Sequence, residues 1–421
     1  MKITTTIATI LSLYCISFLV YGTGFSTAYA QSDLQTIKYR NLIIDLGNGV
    51  KTSAQLTLPA VGEGPFPGVL LIHGSGANDK NGTLGFVHKN GPKPTTPFWQ
   101  IAQYLSERGF AVLRYDKRGI SANYTIDQNV WGNTTVNDLI HDAENALNVL
   151  ILQPEVDSQR ISVIGHSEGT IITPRVAIGN PTKVKNIILM GTAAQNLIRD
   201  ILRYQVVDLN LEYATQVLDN NHTGLISIQQ IPNDPLLGPY LVPSSLLDTN
   251  NTKDIINNLV DKFGTTGQVS IQKQIRPELK KYYENETAFN LSKCNTIRGC
   301  PVWFRSESSL TPTLSIIGNI SNSTGILLLN GENDSATPVQ QTFLLQQRLT
   351  EVNHPDHMLI TYPNLGHFFY PSPQWFAESG PIEPYVLADL YAWLESHSGL
   401  SNPYVTTTST IGANSSSSSK R

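Results

Sequence analysis

Ser167 stands between two glycines in Gly165-His166-Ser167-Glu168-Gly169, directly after the apolar run Ile161-Ser162-Val163-Ile164. A serine hydroxyl becomes a useful nucleophile only when a base takes its proton. Gly-x-Ser-x-Gly between a strand and a helix is the sequence of a turn that lifts the serine clear of the backbone. Gly165 and Gly169 answer the crowding at so sharp a bend. The partners such a serine needs follow later in the chain. Asp334 ends "GILLLNGEND" and His367 ends "HMLITYPNLGH". The order serine, acid, histidine is that of a nucleophile on this kind of turn. His367 would take the proton and Asp334 would orient the imidazole. Glu332 is a rival acid two residues earlier; the spacing Gly-x-x-Asp from Gly331 favours Asp334. A tetrahedral adduct also needs two N–H donors for its oxyanion. These are assigned to Glu168, next after the serine, and to Ser75 in the loop His73-Gly74-Ser75-Gly76. The plainer alternative is a tight strand–helix turn with a bystander serine and an ordinary loop histidine. The chain order of three partners speaks against it.

Elements able to position these residues are visible in the hydrophobic pattern. "YRNLIIDLGNGVKTSAQLTLP" alternates around Gly47-Asn48-Gly49, as a hairpin does. Buried strands are expected in "GPFPGVLLIHGSG", "GFAVLRYD", "RISVIGHS", "KNIILMGTA", "TGILLLNGEND" and "HMLITYPNLGH". Helices are expected from Pro97 to Arg108 and along Val136, Leu139, Ile140, Ala143, Ala146, Leu147 and Leu150, whose period is 3.6. Apolar strands alternating with helices predict an α/β fold, a mostly parallel sheet with helices on both faces. Its chemistry belongs in loops at the carboxyl ends of the strands. The segment 193–324 is far longer than a crossover requires and carries helix-like stretches such as "IINNLVDKF". It reads as a large cap insertion between core segments 31–192 and 325–398.

"HGSGANDK", "PFWQIAQYLSERGFAVLRYDKRG", "IGHSEG" and the later "RYQ" together resemble the α/β-hydrolase superfamily. The likeness is to the bacterial and archaeal esterase branch with HGSGxND and RYDKRG blocks, relatives of serine aminopeptidase-like hydrolases. It covers residues 37–205 and 325–398. It implies the α/β-hydrolase fold, a triad of Ser167, Asp334 and His367, an oxyanion loop at Ser75, and structural ion pairs for Asp116 and Arg118. The rest of the cap, up to Thr324, departs from the pattern. The function expected is an exported serine hydrolase acting on a small-molecule ester, with no cofactor required. A serine peptidase or amidase with the same triad is the nearest rival, with Glu212, Glu278, Glu284 and Glu286 as cap carboxylates that could hold a substrate amine. A non-catalytic surface binding protein using the cap is the rival from another class.

The remaining features bound the setting. Against 33 acidic residues stand 29 Lys and Arg, a net charge of −4 with no basic stripe, which excludes nucleic acid as an expected partner. Residues 1–30 read as a secretory signal, with Lys2, an apolar stretch from Ile7 to Val20, and Ala28-Tyr29-Ala30 before the cut. The alternative is an uncleaved anchor helix. Cleavage implies a secreted or cell-surface protein without membrane insertion. In that compartment Cys294 and Cys300 read as a small disulfide loop. Asn123, Asn133, Asn285, Asn290, Asn319 and Asn322 lie in Asn-x-Ser/Thr triplets open to glycosylation. Residues 399–421, rich in Ser and Thr, read as a disordered tail. In the cap, "DNNHTGLISIQQ" has EF-hand spacing: Asp219, Asn221, Thr223 and Ser227 as side-chain ligands, Leu225 through its carbonyl, and Gly224 at the sharp turn. Gln230 replaces the bidentate Glu, so a calcium ion there would be weakly held. The alternative is a polar turn between cap helices, and the sequence displays no clear second loop. Oligomeric state is not legible.

Overall fold

The sheet begins as a hairpin, β1 (Ile37–Gly47) and β2 (Val50–Pro59), turned at Asn48 with φ +52° between two glycines that also take positive φ. Then come β3 (Phe66–Ile72), β4 (Ala111–Tyr115), β5 (Val156–His166) and β6 (Val184–Met190). A long insertion holds the short strands β7 (Leu225–Ser227) and β8 (Gln268–Ser270), and β9 (Gly325–Gly331) and β10 (His357–Tyr362) complete the core. The computed structural model describes residues 36–84, 95–121, 125–247, 251–292, 301–375, 378 and 380–400. The expected signal, Cys294 and Cys300, Asn123 and the tail from Ser401 onward lie outside the described residues.

Eight strands form one sheet in the order β1-β2-β4-β3-β5-β6-β9-β10. β2 runs antiparallel to β1 and β4; every other pair is parallel. Burial on both faces explains the continuous apolar runs, since helices cover each side. In β3, Leu70 and Ile72 face one hydrophobic cluster while Val69 and Leu71 face another. This two-residue period divides the helices as well. The first cluster takes in α2 (Val136–Ile151), α3 (Gly169–Gly179) and α7 (Val339–Glu351). The second takes in α1 (Pro97–Ser106) and α8 (Pro384–Ser398). Numbered between these are the insertion helices α4 (Thr252–Phe263), α5 (Arg276–Ser292) and α6 (Pro301–Ser309). α2 starts where the Thr135 side chain caps the Asp138 N–H and Asp138 caps Thr135 in return, so its donors are satisfied at the first turn. α1 ends at Ser106, two residues before the sequence pattern suggests.

Strand register aligns the carboxyl ends: Ile72 with Gly165, His166 with Met190, and Gly331 with Tyr362. The loops after β3, β5, β6, β9 and β10 therefore emerge along one rim. Behind that rim, residues of the RYDKRG block are paired as the resemblance implies. Arg118 Nε donates to Asp142 Oδ2 at 2.7 Å with both side chains buried, and the Asp116 carboxylate accepts from the Lys80 N–H at 2.6 Å. Removing Arg118 alone leaves a buried carboxylate uncompensated. Arg118→Met is expected to cost about 3–5 kcal/mol in urea unfolding, and Arg118→Met with Asp142→Leu to recover most of it.

Candidate active site

The turn after β5 is closed by contact rather than by preference. Ser167 has φ +56°, in the left-handed region that a serine rarely enters, and its N–H donates to Met190 O at 3.0 Å. A Cβ on Gly165 would lie 2.2 Å from Gly169 O and 2.3 Å from Thr173 Oγ1. One on Gly169 would lie 2.3 Å from Ile72 O. Both positions exclude any side chain. The sharp turn presents Ser167 at the rim, half-buried.

Asp334 and His367 meet through a hydrogen bond. His367 Nδ1 lies 2.8 Å from Asp334 Oδ2. The carboxylate is fully enclosed. Its Oδ1 accepts from the N–H groups of Ala336 and Thr337 at 2.9 and 2.8 Å, and its Oδ2 also accepts from Thr337 Oγ1 at 2.9 Å. Glu332 is elsewhere: it accepts from Thr361 Oγ1 on the exposed side. His367 is tied to the serine's neighbour, for His166 Nε2 lies 2.9 Å from the His367 carbonyl and the two rings are 4.6 Å apart. Across the rim, a Cβ on Gly191, next after Met190, would lie 3.0 Å from the His367 ring, so the bare backbone there makes room for the imidazole.

Burial works to lower the pKa of His367, but the charge of Asp334 and its hydrogen bond outweigh it, with a contribution from Glu378. The net direction is up from the ordinary 6.5. His166 lacks such a partner. Burial, then the charge of His367, push it down to about 3, so it stays neutral. Glu378 is a residue the sequence reading missed. Its carboxylate accepts from the N–H groups of Phe368 and Tyr370 and fixes the loop on the far side of His367. Burial pushes it up to about 8. No spacing motif marks it; only the empty side of Gly366, whose Cβ would meet Glu378 Oε2 at 2.6 Å, betrays the contact.

On the opposite side of Ser167 lies the His73–Gly76 loop, with a Cβ on Gly74 only 3.0 Å from Ser167 Cβ. Asn78 Nδ2 gathers the carbonyls of Gly74, Ser75 and Gly76 at 2.9, 3.0 and 3.2 Å. Among the described residues, the N–H groups of Ser75 and Glu168 donate to no acceptor. The Glu168 side chain turns away from the rim into the interior.

The cap loop is ordered by its one carboxylate. Asp219 accepts from Thr223 N, Thr223 Oγ1 and Gly224 N at 3.0, 3.2 and 2.6 Å, and Gly224 takes φ +76°. Leu225 to Ser227 form β7, and Ser227 caps the next turn with Gln230. A second loop does exist. β7 pairs antiparallel with β8, Ile226 opposite Val269. Ile228 N donates to Gly267 O and Ile271 N to Gly224 O, at 2.9 and 3.0 Å, an approximate two-fold relation. The corresponding positions Lys262, Gly264, Thr266 and Lys273 offer no carboxylate, which is why the spacing was silent.

Two family models match parts of the chain. The serine aminopeptidase S33 model covers residues 95–223 and the prolyl oligopeptidase family model residues 299–401. The first spans Ser167, the second Asp334 and His367. Esterase EstD of Thermotoga maritima is 34% identical over 186 residues, 43% of this chain and 40% of that protein. Esterase FrsA of Yersinia pestis is 25% identical over 159 residues, 38% of this chain and 33% of its own length. The matches thus span less than half the length of these relatives. A solved thermophilic esterase from Thermogutta terrifontis superposes with TM-score 0.45 and 15% identity, over 85% of this chain and 99% of its own.

The hydrogen-bond partners predict distinct titrations. In NMR spectra of imidazole-labelled protein, His367 is expected to titrate above 6.5 and to move downward in Asp334→Asn. His166 should stay neutral throughout the range in which the fold persists.

Proposed function

We propose, from its strand order, both family matches and its esterase relative, that this chain is a serine hydrolase of the α/β-hydrolase superfamily cleaving carboxylic esters of small molecules. The observation that carries this is the Asp334–His367 hydrogen bond at the rim where Ser167 takes positive φ. In this reading His367 Nε2 accepts the hydroxyl proton as Ser167 Oγ bonds to the ester carbonyl carbon. The oxyanion is met by the N–H groups of Ser75 and Glu168. The imidazolium, held by Asp334, returns the proton to the departing alkoxide as the C–O bond breaks. Water, deprotonated by the same imidazole, then attacks the acyl-enzyme, and Ser167 leaves with the proton. No cofactor enters these steps.

The two matched families, serine aminopeptidase S33 and prolyl oligopeptidase, favour a second reading, amide cleavage by the same residues. Two of the cap carboxylates do not favour it. Glu278 lies 3.7 Å from Lys262, and Glu212 is exposed and accepts from Gln216. p-Nitrophenyl esters of graded chain length, run beside aminoacyl p-nitroanilides, separate the two. Ester turnover is expected to exceed amide turnover, and Ser167→Ala to remove about 10⁴-fold or more of kcat, leaving KM nearly unchanged. Turnover of anilides alone would establish the peptidase instead.

Two further expectations remain part of this proposal. Export rests on the signal-like residues 1–30. A weak calcium site in the cap would use Asp219, Asn221, Thr223, Ser227 and the Leu225 carbonyl. This all-oxygen donor set suits a hard cation but supplies a single carboxylate. Calcium at several millimolar is expected to raise the melting temperature of the wild type by a few degrees, with an apparent Kd near 10⁻³ M, and not that of Asp219→Ala. Equal shifts in both proteins would assign the effect to other sites.

A further inference from the structure

The two N–H groups assigned to the oxyanion belong to segments far apart in the chain, and one buried ammonium joins them. Lys117 is almost entirely enclosed. Its Nζ donates to Gly74 O at 2.6 Å and to Glu168 Oε2 at 2.6 Å. It also lies 5.9 Å from the centre of the Trp131 ring. The Gly74 carbonyl belongs to the same peptide unit as the Ser75 N–H. That peptide is trans, so the carbonyl and the N–H point to opposite sides. Holding the carbonyl on Lys117 and Asn78 therefore turns the N–H to the opposite side of the peptide, where it donates to no acceptor among the described residues. Glycine at 74 makes the opposite peptide orientation sterically accessible, so the aim has to be imposed from outside the loop.

The other anchor is equally buried. Glu168 Oε1 accepts from Trp303 Nε1 of α6 at 2.7 Å, and Glu307 of the same helix is buried near it. Burial, then the charge of Glu168, keep Glu307 well above the carboxylate range. The Glu168 side chain thus fixes the ammonium in the position from which it reaches Gly74.

We propose that Lys117 is a positioning residue that sets the oxyanion site, by holding the Gly74–Ser75 peptide in the orientation that presents the Ser75 N–H. This rests on the ester-hydrolase reading. It also gives a physical reason for the HGSGxND and RYDKRG blocks to occur in one chain: Asn78 of the first and Lys117 of the second grip the same carbonyl.

The test compares Lys117→Met with the double variant Lys117→Met, Glu168→Gln, which leaves no uncompensated buried charge and guards against failure to fold. Both are assayed on a p-nitrophenyl ester and with an alkyl trifluoromethyl ketone, whose adduct with Ser167 carries a tetrahedral oxyanion. In both variants kcat is expected to fall about 10²–10³-fold, the size of one lost oxyanion donor, with KM within about threefold. Ketone affinity should weaken in step with kcat. A double variant with wild-type kcat would overturn the proposal and leave Lys117 as a counter-ion only. So would a loss of kcat without loss of ketone affinity. Wild-type protein lacking Ser167-dependent ester turnover would overturn the ester reading and this proposal together, an outcome visible before any Lys117 variant is made.

Discussion

Around Ser167 the end of β5 and the start of α3 are pressed closer than side chains permit. Gly165 faces Gly169 O and Thr173 Oγ1, and Gly169 faces the backbone of β3. A serine with positive φ costs about 1–3 kcal/mol, and such strain persists only where the surroundings over-determine it. Here they do. α3 is enclosed on both sides, with Ile172 and Val176 against the sheet and Ile171 against Ala193 and Ile201 of the insertion. Burial of side chains of that size contributes about 1.5–3 kcal/mol each, so a few of them offset the strained turn. The segment between β6 and β9 therefore supplies one wall of the packing that holds the serine in its unfavourable backbone state.

Asp334, Glu168 and Glu378 lie near this turn, and their surroundings separate them. Asp334 receives two backbone N–H groups, a hydroxyl and the imidazole, so hydrogen bonds support its charge. Glu168 is compensated by the ammonium of Lys117 and by an indole N–H. Glu378 has backbone donors but no Lys or Arg in contact among the described residues, and burial moves it upward. An isolated buried charge costs far more than any one hydrogen bond returns, which is why partners decide the state of each group. The same logic distinguishes the two neighbouring histidines: His367 faces a carboxylate, His166 faces a carbonyl.

The core was legible because its signals are local. Continuous apolar runs marked the parallel strands, a 3.6 period marked α2, and Gly-x-Ser-x-Gly marked a turn whose steric reason is independent of the rest of the chain. Asp334 and His367 could be picked by order and by their place just after apolar runs. Glu378, Asn78 and Lys117 could not. Each acts on a backbone group, and a backbone carbonyl or N–H has no identity in a sequence. Lys117 reaches Gly74 across 43 positions and Glu168 across 51. No periodicity encodes such a contact; the resemblance alone noted that the blocks travel together, without saying why.

The insertion makes the same point from the other side. One of its two paired loops was visible because oxygen-bearing side chains recur at alternate positions from Asp219; its partner was invisible because glycine, threonine and lysine stand there instead. What relates the two is main-chain pairing, with Ile226 opposite Val269 and reciprocal bonds through Gly224 and Gly267. A two-stranded ribbon is marginal alone in water. This one is held by Ile226, Ile228, Val269 and Ile271, all buried in the cluster that also holds Leu259 and Phe263 of α4. That cluster is continuous with the face of the sheet carrying α2, α3 and α7. Trp303 of α6 then reaches Glu168 at the turn after β5. Freeing the insertion from the core would expose that apolar seam and strip a buried carboxylate of its indole partner. Movement of the whole insertion away from the sheet is thereby opposed.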